Sequence, residues 1–150
     1  MTFTPYDTDY GTCSYTHVWL RAMHDTHDPS EVSQILGLEP TSSHLVGTRI
    51  SCKSDRVRRS SGWFLESSGR VDSRDARHHL DWLLEQIAGK EQAFAELHRL
   101  EYQVDICCRW DSQSGHGGPT LLPSEMAILG SLGIELWFDI YFDGGDTADA

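Results

Sequence analysis

Apolar side chains recur with period two in three stretches of the chain and with period 3.6 in three others. Over 13–23, Thr16, Val18, Leu20 and Ala22 alternate with Tyr15, His17, Trp19 and Arg21, the pattern of a half-buried strand. Over 102–110, Tyr102, Val104, Ile106, Cys108 and Trp110 alternate with Gln103, Asp105, Cys107 and Arg109. Over 134–142, Ile134, Leu136, Phe138, Ile140 and Phe142 share one side and Glu135, Trp137, Asp139 and Tyr141 the other. Two further strands are expected at 44–52 and 62–68, joined by a loop.

Helical spacing begins at Asp28-Pro29-Ser30-Glu31, where Asp28 is placed to cap, Pro29 to open the first turn and Glu31 to sit at the capping-box position. Val32, Ile35 and Leu36 form its stripe, and Gly37 ends it. Leu80, Leu83, Leu84 and Ile87 repeat at i, i+3, i+4 and i+7. Ala93, Phe94, Leu97 and Leu100 resume the spacing beyond Gly89, as two helices or one kinked helix. A further short helix is expected over 124–132.

Pro29-Ser30-Glu31-Val32 with Leu36-Gly37-Leu38-Glu39 is echoed by Pro123-Ser124-Glu125-Met126 with Leu132-Gly133-Ile134-Glu135. Both copies lie between strands, so the reading is two β-α-β units, each a right-handed crossover between parallel strands, around a hairpin and the long helical region. The expected fold is α+β, a mixed five-stranded sheet with helices mainly on one face, ferredoxin-like, as a single domain over 1–150 with flexible tails at 1–12 and 143–150.

Composition supports one packed core, with 39% hydrophobic and 23% charged residues in 150. The formal net charge of -11 disfavours a nucleic-acid backbone or an anionic membrane as partner. Lys53, Arg56, Arg58 and Arg59 are a local exception, read as a mobile hairpin loop. The start of the chain carries no leader signature and no apolar run is long enough for a bilayer, so a cytoplasmic location is expected, with Cys13, Cys52, Cys107 and Cys108 as free thiols. Nor do these cysteines have the C-x-x-C spacing of a zinc or redox site.

Four small constellations invite chemistry. His24, Asp25, His27 and Asp28 could converge on a metal, but read better as a polar turn that caps a helix. His78, Asp81 and Glu85 share a helical face, read as the solvated side opposite the apolar stripe. Ser114-Gly115-His116-Gly117-Gly118 lacks the order and the lysine of a phosphate-binding loop and reads as a flexible loop. Cys107 and Cys108 are adjacent, so only one can enter the core, and the other has no evident activating base.

The strongest surface is the sheet face opposite the helices. Alternation gathers Tyr15, His17, Trp19 and Arg21 there with Asp105, Cys107 and Arg109, and with Glu135, Trp137, Asp139 and Tyr141. Such rings and arginines are the types enriched in binding patches, unless helices fold over them as a second core layer. The leading expectation is a non-catalytic binding module for a protein or small ligand, using Tyr15, His17, Trp19, Arg21, Arg109, Trp137, Asp139 and Tyr141, with no metal and no cofactor. Its acidity suits a basic protein partner, for example a toxin neutralised by an immunity-type protein. One rival is a small-molecule enzyme with His17 as general base, Asp105 or Asp139 orienting it, and Tyr141 or Arg109 assisting. The other is a homodimer seam on the same face.

Leu36-Gly37-Leu38-Glu39-Pro40-Thr41 with Gly47, Gly62-Trp63 with Ser67, Leu80 with Trp82-Leu83-Leu84, and Leu132-Gly133 running into Phe138-Asp139-Ile140-Tyr141 resemble the bacterial family called domain of unknown function 4279. The resemblance implies a compact bacterial domain, brings no assigned activity and carries over no catalytic residue.

Overall fold

A computed structural model describes residues 4–142. Five strands and four helices follow in the order β1 (Cys13–His24), α1 (Ser30–Leu36), β2 (Ser42–His44), β3 (Ser61–Glu66), α2 (Ala76–Ile87), α3 (Glu91–Arg99), β4 (Gln103–Ser112), α4 (Pro123–Leu132) and β5 (Glu135–Phe142). They build one mixed α+β sheet in the order β2-β3-β1-β4-β5. β1 lies antiparallel to both β3 and β4, β2 is antiparallel to β3, and β4 is parallel to β5.

The β4-α4-β5 crossover joins neighbouring parallel strands, as the echo predicts. In the first unit β1 and β2 run the same way, since each is antiparallel to β3, but β3 lies between them. The helical region is two helices, separated where Gly89 adopts φ +80°. The strand expected over 44–52 is not formed: β2 is Ser42–His44, sharing only His44 with it, and the rest is a hairpin arm held by the bridge Arg49↔Val57 and backbone bonds such as Arg58 N–H to the Thr48 carbonyl.

Alternation decides what is buried. Val18, Leu20 and Ala22 of β1 and Ile106, Cys108 and Trp110 of β4 enter one core with Leu80, Leu83, Ile87, Phe94, Leu97 and Leu132 from the helices. Fully buried Trp63 of β3 donates from Nε1 to Ser33 Oγ of α1 at 3.0 Å, so its indole is buried without losing its hydrogen bond. Its hydrophobic contribution is roughly 2–3 kcal/mol.

Local caps follow sequence rules with two changes. Asp28 Oδ1 accepts the Ser30 N–H at 2.9 Å, but the cap position itself falls on Pro29, which has no side-chain hydrogen bond to give, so Asp28 stands one residue earlier than expected. Glu31, however, turns outward from its expected box position and accepts from His27 Nδ1 at 2.8 Å and Tyr102 OH at 2.7 Å. In α4 the equivalent Glu125 does reach back, its Oε1 accepting the Leu122 N–H at 3.1 Å.

The described part of the segment 1–12, expected as a flexible tail, makes contacts with the rest of the domain. Tyr6 OH donates to Asp81 at 2.6 Å, Arg77 Nη2 donates to the carbonyls of Thr4 and Pro5, and Tyr10 packs edge-on against Trp110. Arg77 is itself buried, with its guanidinium 4.6 Å from the Tyr6 ring. Polar contacts rather than an apolar period hold this segment, which is why alternation missed it. Residues 1–3, and the tail expected over 143–150, lie outside the described residues.

Candidate binding face

The register brings the anticipated residues together. Across β1 and β4, Tyr15 faces Asp111, His17 faces Arg109, Trp19 faces Cys107 and Arg21 faces Asp105. Across β4 and β5, Cys107 faces Trp137, Arg109 faces Asp139 and Asp105 faces Glu135. Opposed residues point to the same side of a sheet, so all lie on the side away from the core. Glu66 and Phe64 of β3 extend the surface, opposite Trp19 and Arg21.

Rings and cations on this face are already arranged. Arg109 lies with its guanidinium 4.7 Å from the Tyr141 ring and 5.5 Å from the Tyr15 ring, held by a two-pronged pair to Asp111 at 2.9 and 3.1 Å. Arg21 pairs in the same manner with Asp105 at 2.7 and 2.8 Å and lies 5.1 Å from the Trp137 ring. Such forks fix the guanidinium plane as well as its charge. Tyr15, Trp137 and Tyr141 remain 41%, 38% and 47% exposed, so the face is not sealed as a second core layer.

The face is poor in reactive groups. Burial lowers the His17 pKa below its ordinary value, and its ring stacks on Trp19 at 4.8 Å. His17 Nδ1 is buried and has no hydrogen-bond partner among the described residues. Asp105 is engaged by Arg21, and Asp139 accepts the Tyr141 hydroxyl at 3.1 Å. No carboxylate hydrogen-bonds His17 Nδ1 among the described residues.

Only one of the neighbouring thiols enters the core, as alternation requires, although both are buried. Cys108 enters the core, while Cys107 is wholly covered on the opposite side, where its cross-strand neighbours are Trp19 and Trp137. Burial pushes the Cys107 thiol up to about 11 and the Cys108 thiol up to about 12. Neither is an activated nucleophile.

The other constellations are structural. His24 Nδ1 accepts the N–H groups of Thr26 and His27, each at 3.0 Å, and its Nε2 faces the Leu100 carbonyl, so both ring nitrogens serve the turn. His78 and Asp81 are not a bare wet surface: the Tyr6 ring stacks on His78 at 4.1 Å. The 114–118 loop is tied by Ser112 Oγ, which donates to the His116 carbonyl and accepts the Gly115 N–H. Among the described residues no cluster of three or more His, Cys, Asp or Glu side chains is arranged for a metal.

Sequence reasoning missed a cleft of about 620 Å³ beyond the end of β3, lined by Tyr15, Thr16, Ser68, Arg70, Arg74 and His79 among others. Beside it, Ser67 Oγ donates to His79 Nδ1 at 2.7 Å and accepts the Val18 N–H at 3.0 Å, while His79 Nε2–H donates to the Ser73 carbonyl. Ser67 is fully buried and its hydroxyl joins β1 to α2. That is a tether between elements rather than an exposed nucleophile.

Fold and face together define an α+β domain with an open mixed sheet, whose uncovered side carries fixed arginines between exposed rings. The chain belongs to the family Domain of unknown function (DUF4279), which matches residues 14–143. No curated protein and no solved structure matches it. No helix among the described residues is long and apolar enough to cross a membrane.

Proposed function

We propose that this domain is a non-catalytic interaction module of the bacterial cytoplasm that holds a basic protein partner against the face of β1, β4 and β5. The observation that carries this reading is Arg109 fixed by Asp111 between Tyr15 and Tyr141, beside Trp137 with Arg21 over its ring. Binding energy concentrates in Trp, Tyr and Arg anchors that are held in place before contact. The net charge of -11 steers a basic partner and repels polyanions.

The ferredoxin-like reading of the scaffold is part of this proposal. It is supported by the order β2-β3-β1-β4 with antiparallel neighbours throughout, β5 being an addition beyond β4. Helices gathered on the core side leave the opposite face to a partner. That no carboxylate among the described residues hydrogen-bonds His17 Nδ1, and that burial raises the Cys107 thiol, support binding over turnover.

The test is quantitative capture from the native host by the tagged protein, compared with Trp137→Ala/Tyr141→Ala and with a control substitution on the hairpin, Val57→Ala. A stoichiometric basic protein that is lost with the face variant, retained with the control and released by added salt supports the reading. Capture that is indifferent to the face variant overturns it.

A further inference from the structure

The two edges of the sheet are built differently. β2 is three residues long and leads into a hairpin bearing Arg49, Lys53, Arg56, Arg58 and Arg59, so that edge is short and charged. β5 is eight residues long, pairs with β4 without a register shift and contains no Lys, Arg or Pro. Edges of monomers are normally blunted by brevity, charge, proline or a bulge. β5 has neither brevity, proline nor a bulge to protect it, and its two charges, Glu135 and Asp139, both lie on the face away from the core.

The side of β5 that should join the core is also uncovered. Phe138, Ile140 and Phe142 are 36%, 53% and 57% exposed. The helix that packs beside β5, α4, also has Met126, Ala127 and Gly130 exposed, with Met126 52% exposed. Over 119–134 the only charged side chain is Glu125, which is buried and held by the Leu122 N–H and the Ser124 hydroxyl. An uncharged helix surface beside an unprotected strand, in a chain with 23% charged residues, marks a covered flank.

We infer that β5 pairs antiparallel with β5 of a second copy of this chain, joining two sheets into one, with the two α4 helices meeting over the seam. Only one edge of each copy is available, so the contact closes as a two-fold dimer rather than growing into a filament. The pattern of β5 is self-complementary when Phe138 faces Phe138. Leu136 then meets Ile140 and Ile134 meets Phe142 on the core side, while Asp139 meets Trp137 and Glu135 meets Tyr141 on the other. A register shifted to place Asp139 opposite itself sets like charges together and is disfavoured.

Sedimentation equilibrium across a range of concentrations tests this. The wild type is expected to dimerise, and because both copies carry -11 the dimer should tighten with added salt, opposite to capture of a basic partner. Ile140→Lys and Met126→Lys, both at exposed positions, should weaken it at least about tenfold by burying an unpaired charge, with unchanged circular dichroism. In a Cys52→Ser background, Phe138→Cys should cross-link copies through a disulfide across the two-fold while Ile140→Cys should not. A monomer at every concentration, or a dimer indifferent to both lysines, overturns the inference. So does a monomer whose β5 is instead occupied by an extended peptide of another protein. Capture of a partner by the open face stands or falls independently of each of these results.

Discussion

Cys107 offers a direct reading of whether the aromatic face is packed as described. Its thiol is wholly covered although it sits on the side of the sheet away from the core, between Trp19 and Trp137 on the adjoining strands. With its pKa pushed up to about 11, roughly 0.03% is thiolate near pH 7.5, against roughly 9% for an ordinary cysteine. That is a deficit of roughly 300-fold. A more basic thiolate is intrinsically more nucleophilic, with a Brønsted slope of about 0.4–0.5, which returns about a factor of ten and leaves roughly 20- to 30-fold. The steric cover slows alkylation further.

Trp137→Ala removes one wall of that cover and part of the desolvation. Because Trp137 is 38% exposed, its truncation should cost only about 1–2 kcal/mol of stability, including the Arg21 contact. Global unfolding would expose Cys107 and Cys108 equally, so the ratio of their labelling separates local uncovering from general weakening. Iodoacetamide labelling followed by peptide mass mapping is expected to find Cys52 modified first in the wild type, and Cys107 rising at least about tenfold relative to Cys108 in the variant. Native labelling of Cys107 at the rate of exposed Cys52, or an unchanged ratio in Trp137→Ala, would refute the described packing.

Three further outcomes follow from the geometry. Ser67→Ala leaves the Val18 N–H and His79 Nδ1 without the hydroxyl they share, and should cost about 2–4 kcal/mol by urea denaturation. A loss below about 0.5 kcal/mol would mean that the tether is not a structural necessity. Burial, opposed in part by the Ser73 carbonyl, lowers the His79 pKa below the ordinary 6.5, so the unfolded chain takes up the proton first. The stability that His79 contributes is therefore complete above 6.5 and lost as pH falls through that value. The advantage of wild type over His79→Gln should shrink on acidification, and a growing advantage in the urea midpoints would contradict the assignment. Gly117 holds φ +89°, and an added Cβ would stand 2.5 Å from Thr12 Oγ1, so Gly117→Ala should lower the melting temperature by several degrees. An unchanged melting temperature would show the 114–118 loop to be freer than described.

What the sequence revealed depended on whether the cause was local. Alternation in 13–23, 102–110 and 134–142 survived as β1, β4 and β5, because pleating alone sends Trp19, Cys107 and Trp137 to one side. The start of α1 was legible to within a residue, because the bond from the Ser30 N–H to Asp28 spans only two residues. The insertion of β3 between β1 and β2 was not legible, since it rests on pairings such as Ala22↔Trp63 that no local pattern encodes. The docking of residues 4–10 was missed for the same reason: Tyr6 finds Asp81, 75 residues away, through a single hydroxyl. A period reports which face a residue takes, but not whether another element reaches far enough to cover it.

β5 makes that last distinction matter. Its apolar side was read correctly from the period, yet cover reaches Leu136 and fails at Phe138, Ile140 and Phe142. The same strand supplies Trp137, Asp139 and Tyr141 to the opposite face, so any element completing the β5 edge also borders the arginine and tyrosine cluster. Pairing through β5 would set two such faces side by side on one continuous sheet. Two linked faces engage a repetitive or symmetric partner with a gain set by effective concentration rather than by new contacts. The monomeric variants Ile140→Lys and Met126→Lys should therefore retain the affinity of a single face and lose that gain, which separates the contribution of the edge from that of the rings.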